Sequence, residues 1–125
     1  MKGIAFNFFI VAALCVTAGM VWGIQMSATQ DHGLSPAHAH LNLVGWVTMG
    51  LFGLYYAVTP TAAQNGLAKI HFWMATLGVV LMVPGIVMAL TEQGEVLAIL
   101  GSFLTLASML IFVFTVARNG IGKTD

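Results

Sequence analysis

Charge is what this chain has least of. Lysine and arginine number 4, aspartate and glutamate 4, and charged residues make up 6% of the 125 residues. A soluble domain is roughly 25% charged, so this chain could not keep its own surface wet. That excludes an ordinary cytosolic enzyme and a disordered protein. The net charge is zero, so no basic patch is offered to nucleic acid. Cysteine occurs once, as Cys15 in an apolar stretch, which excludes a disulfide framework and a cysteine-based zinc site. There is no phosphate-binding glycine loop, no Ser-His-Asp set and no His-Glu-x-x-His motif.

What fills the chain instead is hydrophobic residue, 59% of it. Between the scattered charges lie four apolar runs, at about 4–26, 38–58, 67–90 and 96–117. Each is close to the ~20 residues an α-helix needs to cross a bilayer. The runs are continuous rather than alternating, which disfavours a barrel. The fold class expected is all-α: an integral membrane four-helix bundle, one domain over residues 1–125. The first run is expected to be a retained helix and not a cleaved leader. It is longer than the usual ~7–15-residue leader core, and no small-x-small cleavage site follows it.

The basic residues are Lys2, Lys69, Arg118 and Lys123, before the first run, in the second loop and after the fourth run. The first and third loops carry Asp31, Glu92 and Glu95 and no Lys or Arg. All positive charge therefore falls on one side, which places both termini in the cytoplasm. In a bacterium this means the inner membrane, with loops one and three facing the periplasm.

Local chemistry sets the boundaries. Ser35-Pro36 reads as an N-cap with proline at the first helical position. Thr59-Pro60 ends the second helix. Gln64-Asn65-Gly66 is a loop, and residues 91–94 form a tight turn that makes helices three and four antiparallel neighbours. Pro84 is expected to kink helix three. Gly19-x-x-x-Gly23 permits close packing, expected within one copy.

Four histidines carry the chemical interest: His32, His38, His40 and His71. Histidine inside a membrane is costly and faces protein, water or a cofactor. His38 and His40, two residues apart on a helix, diverge by about 200° and cannot share one metal ion. Two readings stand for this pair: polar residues at a helix entry, or cofactor ligands on two opposite faces. His71 lies near Lys69, some 20 Å or more deeper along the bundle. It reads as an interfacial residue beside Trp73. His32 belongs to a loop. Tyr55, Tyr56 and Trp46 read as interface anchors, and the 8 methionines mostly as packing, although Met can be an axial haem ligand. The apolar runs hold no carboxylate, which disfavours an ion or proton carrier.

The stretch from His38-Ala-His40-Leu-Asn42 through Tyr55-Tyr56 and Pro60, then Lys69-Ile-His71-Phe72-Trp73 and Pro84, resembles the haem–copper oxidase catalytic subunit, in its tenth and eleventh helices. The likeness keeps the family's order and spacing over somewhat under half of the chain. It implies that this chain corresponds to one four-helix unit of a twelve-helix subunit. Position by position, His38 matches the ligand of the high-spin haem and His40 that of the low-spin haem. His71 matches a residue that is not a ligand, and Asp31 resembles, at looser spacing, an acidic residue upstream of the pair. The family's copper ligands lie on its middle unit, and no second histidine cluster occurs here. Oxygen reduction by one copy is therefore not implied, and copper stays open.

The combined expectation is a membrane protein binding b-type haem through His38 and His40. The haem is non-covalent, because there is no Cys-x-x-Cys-His motif. The role is electron transfer with a donor or acceptor unnamed, or binding of a small gas. Two other classes stay open: an oxidase-like or NO-reductase-like enzyme built as an assembly, and a haem-free structural or assembly protein of a respiratory complex. One helix cannot supply both axial ligands of a haem, so a homo-oligomer is expected, a trimer ahead of a dimer. Orientation is directly testable. A reporter fused after Arg118 should behave as cytoplasmic, and one inserted within residues 27–35 as external; the opposite pattern overturns the assignment.

Overall fold

The computed structural model describes residues 3–122. Lys2 and Lys123, which carry part of the charge asymmetry, lie outside the described residues. Four long helices account for most of the chain: α1 (Ile4–Thr29), α2 (Ser35–Val58), α3 (Gly66–Leu90) and α4 (Val96–Asn119). A single helical turn, Pro60–Ala63, joins α2 to α3. There is no strand among the described residues. Each helix is long and apolar enough to cross a membrane, and α2 is the least apolar and the most buried. All four expose large apolar side chains, among them Ile24, Leu43, Trp73 and Phe103. A water-soluble bundle would hide these, whereas lipid solvates them.

The helices run a few residues beyond the apolar runs, because backbone hydrogen bonding continues where hydropathy stops. α1 ends three residues later than expected, with Gln30 in the left-handed region. α2 begins at Ser35, and this corrects the expected cap. Leu34 is the cap residue and Ser35 the first helical one. The Ser35 hydroxyl donates backward to the His32 carbonyl at 2.8 Å instead of accepting from the helix. The other boundaries follow their residues. Thr59 leaves the helical region before Pro60. The Asn65 side chain caps α3 by accepting from Ala68 N at 3.2 Å. The turn between α3 and α4 has Gly94 at φ +123°, a conformation that requires glycine. α3 runs unbroken through Pro84.

Lys69 and Arg118 stand at the same end of the bundle. Lys69 lines a cleft with the start of α1, and the chain after α4 folds onto the end of α2, where Gly122 N donates to Thr59 Oγ1 at 3.0 Å. Asp31, Glu92 and Glu95 belong to the loops at the other end.

α3 and α4 pack backbone to backbone. A Cβ added to Gly101 would lie 2.6 Å from Met82 N, one on Gly78 would lie 2.7 Å from Thr105 Oγ1, and one on Gly85 would strike the Leu97–Ala98 backbone. Small residues take this role in membranes because lipid gives helices no hydrophobic reason to associate. Gly85→Val and Gly101→Val should each destabilise the bundle by about 1–3 kcal/mol, the usual cost of overpacking. Gly66→Ala, at a position with nothing within 4 Å, should stay within about 0.5 kcal/mol of the parent. Thermal unfolding in detergent, followed by circular dichroism, reads both, and parent-like melting of the valine variants would contradict the close approach.

Candidate functional site

His38 and His40 stand on the first turns of α2, which are regular α-helix over Ser35–His40. Regular helix keeps them about 200° apart, and their partners differ accordingly. His38 turns inward to α1, with Nε2 2.9 Å from the Gly19 carbonyl and its ring edge-on to Trp22 at 5.7 Å. Gly23 leaves room for the ring, since a Cβ there would already touch Nε2 at 3.4 Å. Asn42, one turn on, donates from Nδ2 to the His38 carbonyl at 3.0 Å and fills the space over Gly19. The Gly19-x-x-x-Gly23 spacing therefore serves packing within one copy, as expected. Its specific use, seating His38, is not visible in the sequence.

His40 faces the other way. Its Nδ1 donates to the Pro36 carbonyl at 2.7 Å. That bond places the proton on Nδ1 and leaves the Nε2 lone pair free for a ligand. Among the described residues nothing hydrogen-bonds His40 Nε2. The helix changes character at the next residue: Leu41–Thr48 is π-helix. The wider turn places Gly45 against Cys15 of α1 and Val79 of α3, and Thr48 Oγ1 donates five residues back, to the Leu43 carbonyl, at 2.8 Å. π-Helical segments are rare and recur at functional sites. Leu-Asn-Leu-Val-Gly contains no proline, and its single glycine does not by itself specify a π-turn.

His71 corrects an expectation. It is fully buried inside the bundle, not an exposed residue at the headgroups like Trp73. Its Nδ1 is 2.8 Å from the Tyr56 hydroxyl, and the rings of Phe52 and Phe8 stand 4.4 Å and 5.1 Å from its own. Its Nε2 has no hydrogen-bond partner among the described residues. Tyr56 and Tyr55 are likewise core residues and not interface anchors, and the Tyr55 hydroxyl donates to the Gly120 carbonyl at 2.7 Å. Trp46 and Trp73 are exposed. His71 packs beside Phe8 and His38 beside Gly19, levels roughly 16 Å apart along α1 at 1.5 Å per residue. The structure thus keeps His71 away from the His38–His40 pair. His32 is exposed in the first loop. Among the described residues no three of His, Cys, Asp and Glu converge as a metal cluster. A bare ion would need three or four such ligands, whereas a metal already held by a macrocycle needs one or two.

Over 50 residues the chain is 40% identical to cytochrome c oxidase subunit 1 of Rhodobacter capsulatus. The aligned stretch takes in 35% of this chain and only 9% of that subunit. No family model matches the chain, and no solved structure matches it. The similarity and the four membrane-length helices together describe an integral membrane protein related in part to an oxidase subunit.

Proposed function

We propose that this chain is a membrane b-type haem-binding protein with His40 and His38 as iron ligands, acting in electron transfer or small-gas binding. The observation that carries the reading is the hydrogen bond from His40 Nδ1 to the Pro36 carbonyl. It orients the ring and fixes the tautomer, as the outer partner of a metal-bound histidine does. Leu43 and Val47, on the same helix, are exposed apolar residues suited to lie along a flat hydrophobic ring. A haem bound there supplies an iron that changes oxidation state or takes a diatomic gas at an open axial position. His38 must give up the Gly19 carbonyl to offer its Nε2, so it is the less prepared of the two. The protein resides in a bacterial inner membrane with both termini cytoplasmic. The similarity to an oxidase subunit favours this reading over a haem-free role.

The visible spectrum of the purified protein tests it. A Soret band with sharp reduced α and β bands is expected. His40→Ala should abolish or strongly alter it, and His38→Ala should do so in part. His71→Ala should lower the melting temperature by opening the core yet leave the spectrum nearly native. A protein that takes up no haem when supplied with it, or one that loses haem only through His71→Ala, overturns the proposal.

A second histidine ligand on the His40 face has no source in one copy. His38 points oppositely, His32 is in a loop, and His71 is at another level. The second ligand most simply comes from α2 of another copy, in a closed ring of identical units, a trimer ahead of a dimer, with a methionine of the same copy as the alternative. Native mass spectrometry in detergent should find haem only in oligomers; a haem-loaded monomer with two protein axial ligands would refute the ring.

A further inference from the structure

At the end of the bundle that carries Lys69, a cleft of about 510 Å³ opens between the start of α1 and the start of α3. Asn7, Gln64 and Lys69 line it together with Phe72 and Trp73. Asn7 is the first amide side chain of α1, and the next, Gln25, lies near the helix's far end. Among the described residues no hydrogen bond or ion pair engages the side chains of Asn7, Gln64 or Lys69, so three donor groups line one opening without an acceptor from those residues. Among the described residues no carboxylate answers them locally, since Asp31, Glu92 and Glu95 occupy the opposite loops. The cleft thus combines a cation, two amides and an aromatic wall at headgroup depth, where tryptophan characteristically sits.

From this convergence we infer that the cleft between α1 and α3 binds the headgroup of an anionic glycerophospholipid. The phosphodiester oxygens accept from the Asn7 and Gln64 amides and meet the Lys69 ammonium as a point charge. A lipid is favoured over a free anion by what lies beside the cleft. Ile70, Trp73, Leu77 and Val80 are all exposed and recur at helical spacing down one side of α3, an apolar track for an acyl chain. Lysine at this depth attracts anionic lipid in general; the amides and the aromatic wall make this position a defined site. The inference does not depend on haem.

Native mass spectrometry of the full chain, exchanged into detergent with added phosphatidylglycerol or phosphatidylcholine, tests it. One retained phosphatidylglycerol per copy is expected, with phosphatidylcholine lost. Lys69→Gln should cut retention about fivefold, and adding Asn7→Ala should cut it further. Both variants should melt like the parent, because neither side chain bonds to the described residues. Arg118→Gln, at the same end but outside the cleft, should retain lipid normally. Equal retention of phosphatidylcholine, an unchanged Lys69→Gln, or an equal loss in Arg118→Gln would overturn the site. Displacement of the lipid by millimolar inorganic phosphate would overturn the lipid in favour of a free anion.

Discussion

Hydrocarbon offers a peptide group no hydrogen-bond partner and gives two helices no hydrophobic reason to touch. The rest of this structure depends on how the chain meets both conditions at once. Continuous helix settles the first. The second is met by contact at short range, where dispersion is strongest, and contact at that range needs backbones without side chains between them. Gly78 and Gly85 on α3 and Gly101 on α4 provide it on one side of the bundle. On the other side, Gly45 and Gly53 of α2 are set against Cys15 and the Ala5–Phe9 stretch of α1. Glycine costs helix propensity in water, and its recurrence at these contacts shows packing overriding propensity.

Polar groups then decide which helices pair and at what level. Among the described residues, the long-range side-chain bonds of the core start from α2 or from Thr59 just after it: His38 to the α1 carbonyl of Gly19, Tyr56 to His71 of α3, Tyr55 to Gly120 beyond α4, and Thr59 Oγ1 accepting from Gly122 N. That is why the least apolar helix is also the most buried. A polar atom facing lipid would be costly, so α2 is drawn into contact with all its neighbours. The two polar centres sit at different levels and tie α2 to different helices, which fixes its rotation as well as its depth.

The four spans, their turns and the gathering of Lys69 and Arg118 at one end were legible in composition alone, because bilayer thickness and helix rise leave little choice. The divergence of His38 and His40 was legible from helical periodicity. The same periodicity also separates Lys69 from His71, two residues apart: Lys69 is exposed and His71 fully buried. Judging His71 by its neighbours in sequence made it an exposed residue; judging it by the face it occupies puts it in the core. Burial of Tyr55 and Tyr56 was hidden for a different reason, since an apolar run reads alike whether it faces lipid or protein. The π-helical stretch after His40 was not legible at all. It goes with the close approach of Gly45 to Cys15 and Val79, a tertiary contact with no local signature.

The asymmetry of the histidine pair follows from these constraints. His38 is part of the α1–α2 contact, with its Nε2 on a backbone carbonyl, so that contact and any metal would compete for the same nitrogen. His40 bonds only within its own helical turn, and through the other nitrogen, so its Nε2 is oriented without taking part in helix packing. An oriented, uncommitted Nε2 is what axial ligation requires, and it is supplied by five residues of α2, from Pro36 to His40, independently of the rest of the bundle. The π-helix begins directly after this turn. It lets the helix beyond His40 take the register demanded by Gly45 and Gly53 while the turn before it keeps His38 facing α1 and His40 facing away.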